Sequence, residues 1–421
     1  MRKSVLIGAI LLVVAAVGAV IAFNHRGHDT PSPESASAAE GVQPRPRKSA
    51  VATESIDAEE IPTPPVATPV APGVLTATPA KAPVAPAAPR PEPSAYTREL
   101  VTALSKIDLS RSEVTAEQAA AWKQGLQQLT QRGAEAVPAL REFLEKNLDL
   151  SFEAAKGGGA LGQPSLRLSM IEALQQIGGP EALALSLDTL RSSSEPREIA
   201  WLAKALEQQA PEQYRREAVN AAREALAQAA IGKLDGRDVG PLFDVLRQYG
   251  GADVLPDLEK ARGTYRYYSA IALSEMPEGQ GVPSLIQMAQ ERNPVNSRLG
   301  LQMLAQMSDQ YPEARTAFLE QARTAQLPDS TWMSIAEVLA GDRYQIGQHT
   351  ADPLGPPADR LKTYHLNYGN QNFYSVIDTR GWTPEQVNQR VQLIDQLLPT
   401  ATSPAAVEAL KKSRERLLTP P

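Results

Sequence analysis

Apolar residues recur at helical spacing along most of the chain from residue 96 to residue 341. Two segments show this pattern most clearly, Met170–Gly179 and Leu242–Gly251, and each ends in a Gly-Gly pair. Apolar residues three and four positions apart line one face of a helix, and glycine readily adopts the left-handed conformation that ends one. A shorter apolar segment with a proline follows each pair, and proline is tolerated in the first turn of a helix. The pattern therefore predicts pairs of helices joined by glycine turns.

The helix pairs repeat along the chain. The two segments lie 72 residues apart, or two units of about 36 residues. A leucine near the end of each first helix recurs at a mean interval of about 36 residues, at Leu126, Leu174, Leu206, Leu246, Leu273, Leu304 and Leu339. The longest interval contains an insertion around Gly157–Gly162. One helix pair cannot bury its apolar face alone, so neighbouring pairs have to stack. We therefore predict an all-α fold over residues 96–341, a right-handed α-solenoid of about seven helix pairs.

Two Ser/Thr-x-x-Glu/Gln sequences mark helix starts, Thr115–Gln118 and Thr383–Gln386. The second one opens residues 383–421, which we predict to be C-terminal capping helices. The last unit of a repeat array needs a polar outer face. Charged residues near the C-terminus supply it: Lys411, Lys412, Arg414, Glu415 and Arg416.

The repeat motif, or repeat phrase, has a basic residue and small residues on the first helix, followed by Ala-Leu and a glycine turn. The sequence Ala-x-Pro-x-Leu then lies on the second helix. Arg167–Leu185 and Pro196–Leu206 fit this phrase, and Asn293–Leu304 matches it more loosely. In these segments the chain resembles HEAT-like (armadillo-type) α-solenoid repeats of the short bacterial kind. Tetratricopeptide repeats have a similar period, but their Trp-x-x-Leu-Gly-x-x-Tyr sequence does not occur. The resemblance implies a superhelix with a protein-binding surface and says almost nothing about activity.

The repeat pattern breaks at residues 342–382, which we predict to be an irregular, aromatic-rich insertion. Six of the 21 aromatic residues lie there, and Thr363–Ile377 has two extended runs about a Gly-Asn turn. Aromatic rings that carry a polar group are enriched at binding surfaces. Four rings are therefore predicted to include partly exposed partner contacts: Tyr364, Tyr368, Phe373 and Tyr374. The alternative is that this segment caps the last repeat, and both roles are compatible.

A second aromatic cluster lies at the start of a predicted helix. It contains Tyr265, Tyr267 and Tyr268, with Arg262 and Arg266 beside them. We expect one of the rings to pack in the core. The others are candidates for a concave partner-binding surface, and Tyr265 and Tyr267 are the two that we assign to it.

The N-terminus has the features of a membrane anchor. Val5–Phe23 is a run of 19 uncharged, mostly apolar residues after Arg2 and Lys3, long enough to cross a bilayer as a helix. A cleaved signal peptide is the alternative. Basic residues stay on the cytoplasmic side, so we expect a single-pass protein, anchored by residues 1–23, with its C-terminal domain extracytoplasmic (periplasmic). Residues 24–95 are rich in Pro and Ala, which predicts a disordered linker.

Composition and motifs favour no enzymatic chemistry. Residues 96–421 contain 34 basic and 40 acidic residues, which argues against nucleic-acid binding. Gly157–Gly162 reads G-x-G-x-x-G, but no predicted strand precedes it. The chain has no cysteine, and its four histidines include no pair at the i,i+4 spacing of helical metal ligands. We therefore predict no catalytic or metal site, no cofactor, no small-molecule substrate and no enzyme activity.

Anchor, linker and repeat domain in series suggest a function. We expect a membrane-anchored scaffold whose HEAT-like domain binds another protein. One alternative is an enzyme resembling the HEAT-like bilin lyases, which would act on a cofactor in the concave groove. Another is a structural tether between the membrane and the cell wall.

Overall fold

The computed structural model describes residues 91–419, apart from 108, 110–112, 154, 235, 347–362, 369–370 and 378–381. At 363–368 and 376–377 it describes the backbone alone. The predicted anchor and nearly all of the predicted linker lie outside the described residues. Within the described part, no helix combines the length and apolarity needed to cross a membrane. The described residues belong to one compact unit.

The described chain is mostly helical, with sixteen α-helices. The first helices of the successive pairs are α2 (Ala116–Gln131), α4 (Leu166–Ile177), α6 (Pro196–Gln209), α8 (Gly240–Tyr249), α10 (Arg266–Ser274), α12 (Pro294–Met307) and α14 (Asp329–Leu339). The second helices are α3 (Val137–Glu145), α5 (Gly179–Ser192), α7 (Arg215–Ala230), α9 (Leu255–Ala261), α11 (Val282–Ala289) and α13 (Pro312–Thr324). Helix α1 (Ala95–Ser105) precedes them, and α15 (Pro384–Leu397) and α16 (Pro404–Leu418) follow.

Local sequence explains where these helices begin and end. Thr115 and Gln118 exchange side-chain hydrogen bonds with each other's backbone N–H at 3.2 and 3.0 Å, and Thr383 and Gln386 do the same. Both predicted capping boxes are thus confirmed. The turn from α4 to α5 passes through Gly178–Gly179 with φ of 64° and 82°, a conformation that a residue with a Cβ rarely adopts.

The first helices form one row, in which each helix packs on the next from α2 to α14. All seven leucines that mark the repeat lie in this row. Six of them are at most 1 % exposed, and Leu126 is partly buried. The marked leucines are therefore residues of helices, and six of them belong to the core. The second helices also pack on one another from α3 to α7 and from α11 to α13, whereas α7 and α9 make at most a marginal contact.

The basic residue of the repeat phrase has a structural role. The Arg167 guanidinium lies 2.6 Å from the Glu198 carboxylate, and both side chains are buried. Arg167 also donates to the carbonyl of Leu144, at the end of α3. Ser193 donates to the second Glu198 oxygen at 2.9 Å. This buried pair connects α3, α4 and α6, so Arg167 and Glu198 hold successive helix pairs together.

The segment between α14 and α15 contains three strands in its described parts. They are β1 (Asp342–Ile346), β2 (Thr363–Tyr368) and β3 (Gln371–Ile377), in the antiparallel order β1-β3-β2. The two predicted extended runs are β2 and β3. Strand β1 was not predicted, because its five residues follow α14 after only two residues and alternate too briefly to be distinguished from a helix end. Strand β1 packs on α8, α10 and α14, and β3 packs on α10.

Arg390 connects the C-terminal helices to this framework. It is 4 % exposed and lies with its guanidinium 4.2 Å from the centre of the Trp382 ring. It donates to the carbonyls of Gln306 and Val338, each at 3.1 Å, and to the Asp309 carboxylate at 3.0 Å. Burial lowers the pKa of Arg390, and Asp309 opposes that shift. One cation thus joins α15 to the C-terminal ends of α12 and α14.

Candidate partner-binding surfaces

Phe373 is a core residue. Its side chain is 2 % exposed, its ring stacks on Tyr267 with centroids 4.6 Å apart, and the Tyr344 ring lies edge-on at 5.8 Å. We expected partly exposed rings in this segment, and Phe373 does not meet that expectation. The reason is topological, because β3 is the central strand of the sheet and rests on α10.

Of the three other predicted rings of the sheet, only that of Tyr374 belongs to the described side chains. Tyr374 is partly buried, and burial together with the nearby Asp238 carboxylate raises the pKa of its phenol. The register places Tyr364 opposite Ser375 and Tyr368 opposite Gln371. The side chains of Tyr364 and Tyr368 lie outside the described part of the chain. Partner binding by these three tyrosines stays a prediction.

The second aromatic cluster is more deeply packed than expected. Tyr265 is 5 % exposed, Tyr268 is 0 % exposed, and Tyr267 is partly buried. We expected one ring in the core and find two. Phe243 of α8 accounts for both, because its ring centroid lies 5.9 Å from that of Tyr265 and 5.6 Å from that of Tyr268.

Hydrogen bonds fix the sheet to the helices. The Tyr268 hydroxyl donates to Asp238 Oδ1 at 2.5 Å and accepts from the backbone N–H of Asn372 at 2.5 Å. Burial, and then the Asp238 charge, raise the pKa of Tyr268, so its hydroxyl keeps its proton. Gln371 Oε1 accepts from the backbone N–H of Tyr267 at 2.9 Å. Helix α10 has no side-chain cap of its own, and Gln371 supplies one from β3. These bonds therefore hold β3 on the start of α10.

A chain of charges links α8, α10 and β1. Arg247 lies 2.9 Å from Asp244 and 3.0 Å from Glu275, and Arg343 of β1 lies 3.2 Å from the second Glu275 oxygen. Burial raises the pKa of Asp244 from its ordinary 3.8 to about 6, although Arg247 acts in the opposite direction. Asp244 is thus a carboxyl that titrates well above the usual range.

This shift predicts a pH dependence of stability. The folded protein binds the Asp244 proton more tightly than the unfolded chain does. The contribution of this proton to the free energy of unfolding is therefore complete below about pH 4 and is lost as pH rises through about 6. In Asp244→Asn that loss should be absent. Urea unfolding of both proteins between pH 3.5 and 7.5 measures it, and the difference between their free energies of unfolding should change mainly between pH 4 and 6. A difference that is constant over that window would contradict the prediction.

A groove of about 280 Å³ lies between α7 and α9, where the second helices separate. Its apolar lining is Leu226, Ala227, Ala230, Ala261 and Tyr265. Three of these residues are alanines, which leaves room between the helices. Tyr265, although almost buried, borders this groove, and its role in partner binding stays a prediction.

Charged residues also line the groove. Arg223 Nε lies 2.7 Å from Asp257 Oδ2, and this ion pair connects the two helices. Lys260 also lines the groove and is exposed. Ile231, next to Ala230, is 67 % exposed. Of the residues that line the groove, the sequence pointed only to Tyr265, because a short alanine-rich helix face carries no motif.

Within the described residues, no group of three or more His, Cys, Asp and Glu side chains is arranged to hold a metal ion. The arrangement offers an apolar concavity with a charged rim. No protein-family model matches this chain, and a search of curated protein sequences gives no match.

Proposed function

We propose that this chain is a membrane-anchored extracytoplasmic scaffold that binds another protein through a HEAT-like α-solenoid. The observation that carries the proposal is the apolar groove between α7 and α9. Apolar surface exposed in a groove is typical of an interaction site.

The arrangement of helices supports the solenoid. The first helices pack in unbroken succession, and the marked leucines recur at about the same position in each. Such arrays present long concave surfaces built from equivalent helices of successive units. The groove lies among the second helices, where one such surface would be.

The groove fits an amphipathic helix of a partner protein. Arg223, Ala227 and Ala230 are spaced four and three residues apart on α7, so they lie along one helix face. A helix laid against this face would fill the space between α7 and α9 with its own apolar stripe. The exposed ammonium of Lys260 at the rim favours a partner helix with an acidic residue beside that stripe.

The N-terminal sequence supports the location. The run Val5–Phe23 has the length of a membrane span. The linker that follows can extend at about 3 Å per residue where proline dominates, which would hold the scaffold away from the bilayer.

Photo-crosslinking in intact cells tests the proposal. A photoreactive residue at Ala227 should crosslink one main protein, whereas the same residue at Leu148, which is 61 % exposed at a different groove, should not. Ala230→Trp should lower the yield of the Ala227 crosslink by about tenfold, because a side chain that fills the groove weakens partner binding by at least about 1.4 kcal/mol of free energy. Met333→Trp, at an exposed apolar position on α14, is the matched control and should leave the yield unchanged. Equal crosslinking from Ala227 and Leu148 would contradict the proposal.

A further inference from the structure

The second helices α7 and α9 belong to different packing groups. Helix α7 packs on α5, α6 and α8, whereas α9 packs on α10. Two polar contacts join α9 to α11. Ser284 Oγ donates to Glu259 Oε1 at 2.6 Å, and Arg262 Nη2 lies 2.9 Å from Glu291 Oε1. Helices α5–α8 therefore form one group and α9–α11 form another, and the groove between α7 and α9 lies at the boundary of the two groups.

Arg223 bridges this boundary. In the described part of the chain, the polar contacts between α7 and residues 251–261 all come from Arg223. It pairs with the Asp257 carboxylate at 2.7 Å and donates to the carbonyl of Asp253 at 3.0 Å. The two side chains of the ion pair are 36 % and 35 % exposed. Solvent and salt screen such a pair, so the link across the groove is weak and sensitive to ionic strength.

The chain crosses the same boundary at Gly250–Gly251, between α8 and the 3₁₀ turn Gly251–Val254. Gly251 has a φ of 54°. Hinge residues absorb changes in φ and ψ, and glycine does so with little steric restriction. The first helices α8 and α10 pack on one another, and β1 packs on both of them. The first-helix row is thus continuous at this step, and the second helices beside it are separated by a groove.

We infer that the step from α8 to α10 is a hinge, and that the Arg223–Asp257 ion pair is a strut that sets the width of the groove between α7 and α9. With the strut in place, the two helices keep one distance. Without it, the helices move apart and together about the first-helix row. The alanines that line the groove leave room for this motion: Ala227, Ala230 and Ala261. This inference goes beyond the proposed function and does not depend on a partner in the groove.

Distance measurements by double electron–electron resonance on the full-length protein test the inference. The chain has no cysteine, so two introduced cysteines place spin labels at defined sites. Labels at Glu224 of α7 and Gln287 of α11, both exposed, span the groove. Labels at Glu224 and Lys146, which directly follows α3, span α5 and are the reference pair. Both pairs should give narrow distance distributions while the strut is intact.

Loss of the strut should broaden the distribution across the groove and leave the reference pair unchanged. Arg223→Gln should broaden it at least about twofold, because the packing that remains allows the hinge to move. Asp257→Asn acts from the other helix and should have the same effect. Salt at about 1 M should also broaden it, since the screening length then falls to about 3 Å.

A second ion pair provides the matched control. Arg191 of α5 lies 3.1 Å from Glu217 of α7, and these two helices also pack directly on one another. Arg191→Gln should therefore change neither distance distribution. Two results would overturn the inference. One is a groove distribution that stays narrow in Arg223→Gln, in Asp257→Asn and at high salt, and the other is equal broadening of the reference pair.

Discussion

Replacing Arg390 with alanine is expected to lower the free energy of unfolding by about 3–5 kcal/mol, because it leaves a buried charge without its partner. The Asp309 side chain is 3 % exposed and pairs with Arg390 at 3.0 Å. The carbonyls of Gln306 and Val338 would lose their donor as well. Urea unfolding followed by circular dichroism measures the change.

An exposed ion pair provides the matched control. Arg414 pairs with Asp395 at 2.7 Å, and both side chains are more than a third exposed. Solvent screens such a pair, so Arg414→Ala should leave the unfolding midpoint nearly unchanged. If Arg390→Ala were as mild as Arg414→Ala, the buried cation would not be what holds α15 on α12 and α14.

Replacing Phe373 with alanine is expected to lower the free energy of unfolding by about 3–5 kcal/mol, the usual range for deleting a buried aromatic ring. The ring contacts Tyr267 and Tyr344, so its loss opens a cavity between β3 and α10. Unfolding in urea gives the total effect. Hydrogen exchange at β3 shows whether the sheet separates from the helices first.

Tyr374 is the neighbouring control, because its ring is only partly buried. Tyr374→Ala should destabilise the protein much less than Phe373→Ala does. If the two variants were equally mild, the Phe373 ring would not be what holds the sheet on α10. Weaker crosslinking to a partner in Tyr374→Ala, with an unchanged unfolding midpoint, would support the predicted binding role of this residue.

The periodic part of the fold could be predicted because its signals are local. Leu174 and Leu246 mark first helices, and each helix ends at a glycine turn that the sequence shows directly. Thr115 and Thr383 bond within their own first turns, so neighbouring residues suffice to identify them. In each case the interacting groups are within a few residues of one another.

The contacts that organise the candidate surfaces are long-range. Gln371 caps α10 from 104 residues away, and Asn372 bonds to Tyr268 across the same separation. Nothing near Gln371 in the sequence indicates that role. The groove between α7 and α9 depends on how far two helices separate, which the small side chains of Ala227 and Ala230 permit but do not determine. Tyr265 was identified as a surface residue, although Phe243 buries most of its ring.

Hydrogen exchange of the full-length protein in membranes, before and after addition of the purified crosslinked partner, tests the scaffold proposal most directly. We expect slower exchange at the end of α7 around Ala227–Ile231 and at the end of α9 around Lys260–Thr264, the segments that border the groove. Exchange in α14 around Met333 should not change. Protection of α14 with none at α7 and α9, or no protection anywhere in the helical domain, would contradict the account.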